Sequence, residues 1–300
     1  MHGDTSGGRA FRPAGPNTPT ATSVRGDVVH HVACRTRFVL ALWAGFAGSG
    51  VAVRQGGDFV VIERRGAEVD NELATLAEDD GAIRYEEQGA VGILHFDFYN
   101  GAMGMAECAR LLDAYQVACR RPTRVIVLAG GADFFSNGLD LKRIEAAESP
   151  SDESWRNINA MDDLCQAIIE TASQLTVAAL QGNAGAGGAF LALAADRVWA
   201  HPGVVLNPHY KNMGNLYGSE YWTYLLPRRV GSEAAGAIMR HRLPLSAAEA
   251  KALGFVDDVF GATPGAFLEQ AVARAQALAE AADFAERLAG KRAARSADEA

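Results

Sequence analysis

A chain of 300 residues with a net charge of −8 is long enough for one well-buried core. Its composition, 49% apolar and 21% charged, argues against both a disordered chain and a membrane protein. Only Lys291-Arg292-Ala293-Ala294-Arg295 forms a basic block, so nothing points to a nucleic-acid surface. Cys34, Cys108, Cys119 and Cys165 form no CxxC pair, and the histidines do not cluster with carboxylates, so no metal is expected. Reduced thiols of this kind suit the cytoplasm.

In chain order, residues 1–27 are rich in Gly, Pro, Thr, Ser and Arg and read as disordered. Residues 1–80 as a whole form a poorly defined segment with no evident chemistry. The apolar run Phe38–Val53 is interrupted by Gly45, Gly48 and Gly50 and is shorter than the roughly 20 residues that cross a bilayer, so it reads as a core-packed or poorly specified segment. Val51–Arg54 and Phe59–Ile62 predict a hairpin around Gln55–Asp58. An organised domain is expected over 81–300. Ile83–Glu87 and Ala90–Phe98 read as a hairpin turning at Gln88-Gly89, and Ala106–Arg120 as a helix ending before Pro122. Strand Arg124–Ala129 precedes a first glycine loop, and Glu153–Ser173 is an amphipathic helix. Strand Thr176–Gln181 then enters a second glycine turn, helix Gly188–Ala195 and strand Arg197–Ala200. Ser219–Leu226 reads as an aromatic helix ended by Pro227. Ser246 and Glu249 form a capping box for a helix that stops at Gly254. Strand Val256–Val259 and one long helix, Pro264–Ala289, complete the chain. Repeated strand–helix alternation implies an α/β fold with largely parallel pairing.

The chemistry gathers at the two glycine sites, Gly130–Leu141 and Gly182–Gly188. Each follows a strand, and the second opens a buried helix. Such a turn aims free N–H groups at one point, with the positive end of a helix dipole behind them. That point suits a phosphate or an oxyanion. A dinucleotide fingerprint fails because Phe190 stands where its third glycine belongs, and a P-loop fails because no lysine follows Gly188. The pairing of two glycine sites favours converging donors over two unrelated tight turns.

The loop Phe135-Ser136-Asn137-Gly138-Leu139-Asp140-Leu141, the turn Gly182–Gly188, Asp196 and the stretch Leu245–Asp257 resemble the crotonase (enoyl-CoA hydratase/isomerase) superfamily. The resemblance runs from about Tyr85 to Ala289. It implies a crotonase/ClpP-like fold of stacked ββα units that binds coenzyme A as part of a thioester. It also implies an oxyanion hole made by the N–H groups of Leu139 and Gly187, with Gly138, Gly188 and Phe190 in the substrate pocket. Hydratases of this family use two glutamates, whose positions here hold Phe190 and Tyr210, so water addition to an enoyl group is not expected. An ordinary phenol is a poor base at neutral pH, and serves as one only if its pKa is lowered.

The strings Asn207–Thr223, His95–Met103 and Glu153–Asn159 resemble, more narrowly, the C-terminal part of HoxX-type hydrogenase maturation factors. That resemblance implies cleavage of formyl-CoA to carbon monoxide and CoA, with Tyr210 and Glu220 as the implicated pair and hydrogenase maturation proteins as partners. Each residue also has a duller reading: Tyr210 as a core tyrosine, Glu220 as a solvated carboxylate at a helix start. Tyr217, Tyr221, Trp222 and Tyr224 read as packing, and His209 and Asp140 as structural. Lys142, Lys211 and Lys291 are candidates for CoA phosphates, with solvated surface as the alternative. Two other functions stay open: a different acyl-CoA hydrolase or isomerase, and a non-catalytic remnant that binds CoA or a maturation partner.

Overall fold

The computed structural model describes residues 52–56, 59–63, 81–210, 218–241 and 243–299. The contacts divide the chain into two units, Met1–Glu63 and Arg64–Ala300. In the first, strands β1 (Ala52–Gly56) and β2 (Phe59–Glu63) pair antiparallel from Ala52↔Glu63 to Gly56↔Phe59. The ladder thus runs further than the sequence predicts, leaving only 57–58 between the paired ends. The expected disorder over 1–27 and the apolar run up to residue 50 lie outside the described residues.

The second unit is built on a six-stranded sheet. Its strands are β3 (Ile83–Gln88), β4 (Val91–Phe96), β6 (Val125–Gly130), β9 (Leu175–Leu180), β11 (Arg197–Ala200) and β14 (Asp258–Val259). Only the β3–β4 hairpin at the edge is antiparallel; the remaining pairs are parallel. Every residue of β6 and β9 is buried, as expected for strands covered on both faces. Consecutive side chains go to opposite sides: Ile126 and Leu128 to one apolar cluster, Val125 and Val127 to the other. Helix α1 (Met105–Cys119) and helix α3 (Pro150–Glu170) pack on the first side. On the second side lies α8 (Pro264–Glu280), whose inward row Phe267, Ala271, Ala275, Ala279 recurs every fourth residue.

The strands of this sheet do not run straight into helices. After β4 comes β5 (Ala102–Met103) and then α1. After β6 come β7 (Phe134–Ser136), β8 (Gly138–Leu139), the short α2 (Leu141–Ala146) and α3. After β9 come β10 (Asn183–Gly185) and α4 (Gly187–Leu193). After β11 comes β12 (Val205–Asn207). These added strands form a second, four-stranded sheet in the order β13-β12-β10-β7, with β13 being Leu245–Ser246, and a separate parallel pair of β5 and β8. The unit is therefore a series of ββα steps, although no sequence repeat marks them.

Several boundaries differ from expectation. The helix predicted over Ser219–Leu226 is α5 (Trp222–Val230), and Pro227 lies inside it. Thr223, whose carbonyl loses its partner there, is exposed, and the helix ends instead at Gly231, where φ is +81°. A further helix, α6 (Ser232–Arg240), follows at once. The capping box is present: Glu249 N–H donates to Ser246 Oγ at 3.3 Å and Ser246 N–H to Glu249 Oε2 at 2.8 Å, opening α7 (Ala247–Ala252). The strand expected at Val256–Val259 pairs only over Asp258–Val259. The single C-terminal helix is two, α8 and α9 (Phe284–Glu299). No Gly or Pro marks the break; Phe284 turns inward to join the cluster of Phe267, and tertiary packing overrides helix propensity.

Candidate active site

The two glycine loops meet. Gly138, at φ +76°, packs so closely on the start of α4 that a Cβ there would lie 2.9 Å from the Gly187 nitrogen. Gly188 lies against the Ser136 carbonyl oxygen, only 2.0 Å from where its Cβ would be. The positions are thus glycine for want of space. Ser136 Oγ accepts from the Gly138 N–H at 3.0 Å and steadies the loop. Gly187 is the first residue of α4, and N–H groups of a first helical turn have no acceptor within the helix. The preceding Ala186 is held at φ +46°, ψ −122°, a region costing a non-glycine residue about 1–3 kcal/mol. Its N–H is fixed by the Asn207 carbonyl at 2.9 Å. Strain at this turn is what aims the start of α4.

Over the same spot lie Tyr210 and Glu220. Glu220 is 1% exposed and Tyr210 is 9% exposed. The Tyr210 hydroxyl donates to Glu220 Oε2, which also accepts the Ser219 N–H at 3.2 Å. Glu220 Oε1 is buried with no hydrogen-bond partner among the described residues. This oxygen presses on Gly187, where a Cβ would lie 2.2 Å from it. Phe190, fully buried, stacks on the Tyr210 ring with centroids 5.4 Å apart.

The Glu220 side chain turns inward because the chain there is left-handed. Glu220 and Tyr221 both have φ +53°, each costing about 1–2 kcal/mol for an L-residue. The Glu220 N–H donates to Asp162 Oδ1 of α3 at 2.6 Å, and the Trp222 N–H to the Ser219 carbonyl at 3.2 Å. The sequence reading overlooked Asp162; it is one of several carboxylates on α3, and its partner is 58 residues away.

Burial pushes the Glu220 carboxyl up to about 7; the Tyr210 and Ser219 bonds oppose this, and the nearby Asp162 charge adds to it. Burial, reinforced by Glu220, pushes the Tyr210 phenol well above 10. The phenol is therefore not activated as a base; the carboxyl is the group that titrates near neutrality. Cys108 is pushed up to about 12, chiefly by burial, and Cys165 is also raised well above its usual value by burial. Both are buried free thiols that stay protonated.

The duller reading of Glu220 as a solvated carboxylate is overturned by its burial. Asp140 is structural as expected: it caps α2 by accepting the Arg143 N–H at 3.1 Å. Lys291 is not a surface cation. Its Nζ, buried under α9, donates to Asp196 Oδ2 and to the Gln174 carbonyl at 2.9 Å. Asp196 in turn accepts from the Thr176 N–H at 2.7 Å and hydroxyl at 2.9 Å, so this ammonium is already committed. Lys142 is exposed; Lys211 and Tyr217 lie outside the described residues. Trp222 lies against Phe190 at 6.4 Å, Tyr224 bonds Asp298, and the Tyr221 side chain is exposed. The backbone N–H of His209 donates to the Asn207 carbonyl at 2.9 Å, just before Tyr210.

Two strand-end glycine turns meeting at a helix start, inside a series of ββα steps, define the class. The sequence pattern of the enoyl-CoA hydratase/isomerase family matches residues 102–300, and the chain belongs to that family. The fold is the crotonase fold: an enoyl-CoA hydratase structure from Thermoplasma volcanium matches with a TM-score of 0.64 at 25% identity, covering 73% of this chain and 85% of that one. Among its relatives is the hydrogenase maturation factor HoxX of Bradyrhizobium diazoefficiens, 59% identical over 220 residues, which are 73% of this chain and 38% of the relative. The crystal structure of HypX from Aquifex aeolicus in complex with tetrahydrofolic acid matches with a TM-score of 0.69 at 54% identity, covering 70% of this chain and 37% of that one. The chain thus spans well under half the length of these two relatives. None of its described helices is long and apolar enough to cross a membrane.

Proposed function

We propose that this chain is a CoA-thioester lyase that splits formyl-CoA into carbon monoxide and CoA, in the cytoplasm, for nickel–iron hydrogenase maturation. One observation carries the reading: a buried Tyr210–Glu220 pair beside Gly187, with Phe190 where a hydratase has a proton-moving glutamate. The similarity to a HoxX factor supports the setting.

The N–H groups of Leu139 and Gly187 polarise the formyl carbonyl; removing one such donor costs about 3–4 kcal/mol of transition-state stabilisation. The carbon–sulfur bond breaks with its electron pair on sulfur. The formyl hydrogen leaves as a proton to the Glu220 carboxylate, relayed through the Tyr210 hydroxyl, and is returned to the thiolate. Atoms and electrons balance without an oxidant. A carboxyl titrating near 7 can both accept and return that proton, whereas the phenol, with its pKa raised, passes its own proton to Glu220 only as it takes up the incoming one and is never left as a phenolate. Phe190, stacked on Tyr210, holds water off the carbonyl carbon and suppresses hydrolysis to formate.

The test is carbon monoxide release from added formyl-CoA, trapped on reduced haem protein. Supplying formyl-CoA directly keeps the assay independent of any formyl-transfer step. Tyr210→Phe and Glu220→Gln are expected to lose about a hundredfold or more in rate while staying folded. Folded variants that keep full activity overturn the assignment.

A further inference from the structure

We propose that Asp162 is a positioning residue for Glu220: from α3 its Oδ1 holds the backbone N–H of the left-handed corner that turns the Glu220 side chain inward against Gly187 and Tyr210. The inference rests on the function proposed above but reaches a residue outside the reacting pair.

Three observations converge on it. The corner at Glu220 and Tyr221 is left-handed at two successive non-glycine residues, so it persists only where surrounding contacts enforce it. The backbone of the corner is held from outside by a short charge-assisted hydrogen bond of 2.6 Å from α3, a helix anchored in the core by Met161, Leu164, Cys165 and Ile168, beside the Tyr210 bond to the Glu220 side chain and the packing of Trp222 on Phe190. At the corner the two side chains part: Glu220 is buried, while Tyr221 is exposed. Releasing the N–H lets the corner relax, and the carboxyl then loses its place over Gly187.

The same aspartate sets a local field. Among the described residues, the titratable groups facing Glu220 are Tyr210, Asp162 and Cys165 of α3, and Cys108 of α1. The phenol and the thiols are uncharged at neutral pH, so Asp162 supplies the negative charge that favours a protonated Glu220. An asparagine at 162 keeps the acceptor oxygen and removes that charge; an alanine removes both.

The experiment uses the full chain with Asp162→Asn and Asp162→Ala. It has two readouts: the infrared carboxyl band of Glu220, identified by its loss in Glu220→Gln, and carbon monoxide release from formyl-CoA. Asp162→Asn is expected to keep the band but move its titration midpoint, and with it the pH profile of kcat, to lower pH. Asp162→Ala is expected to lower kcat about a hundredfold with little change in KM, as for a misplaced reacting group. Wild-type kcat in a folded Asp162→Ala, or an unmoved midpoint in Asp162→Asn, overturns the proposal. If the wild-type protein releases no carbon monoxide, the formyl-CoA reading fails, and the infrared titration still decides the role of Asp162.

Discussion

Residue by residue, the site is set by atoms that are missing as much as by those present. Gly187 lacks the Cβ that would collide with Glu220 Oε1, and Gly138 lacks one that would crowd the Gly187 nitrogen. Gly138→Ala adds a left-handed backbone penalty to that clash, because Gly138 has φ +76°. It is expected to lower unfolding free energy by about 2–4 kcal/mol in urea titrations. Gly187→Ala is expected to cost less stability, since its neighbour is a side chain that can swing aside, but to displace Glu220 and remove turnover. These residues were legible in sequence because turns and glycine runs leave a compositional mark. Asp162 was not, since a carboxylate on a helix looks the same whether it faces water or a distant N–H.

Among the elements, the long buried strands and most of the helices were legible from periodicity. The short strands β5, β7, β8, β10, β12 and β13, of two or three residues each, were not. Segments of that length show no periodicity and exist only through their partners. The α8–α9 break was equally hidden. Its consequence is that α9 folds back and places Lys291 on Asp196, the residue that also ties down Thr176 of β9. Burial of the ammonium outweighs its ion pair and pulls Lys291 down to about 8, so the latch is costly as well as binding. Lys291→Met is expected to destabilise by about 1–3 kcal/mol, because Asp196 keeps its Thr176 donors. Proteolysis should then begin at residues 281–283, and adding Asp196→Asn should restore part of the loss in a double-mutant cycle.

For the whole molecule, the buried Glu220 makes stability depend on pH. Its carboxyl titrates at about 7 when folded and near 4.5 when exposed, so between those values the folded state binds the extra proton. Its contribution therefore weakens stability as pH rises from about 4.5 to about 7 and is constant above. The Tm of the wild type minus that of Glu220→Gln should fall across that window and then level off, as measured by scanning calorimetry at stepped pH. The domain thus tolerates a destabilising group at its centre, which is consistent with the catalytic role proposed for Glu220.

The fold keeps two duties on separate pieces of chain. In the reaction proposed above, the grip on the carbonyl falls to β8 and the first turn of α4, while the proton-handling pair comes from the segment after β12 and the corner before α5. Either can fail alone. On that proposal, a molecule whose corner has relaxed still presents the grip, so it would hold a thioester and release it intact, a carrier in place of the proposed lyase.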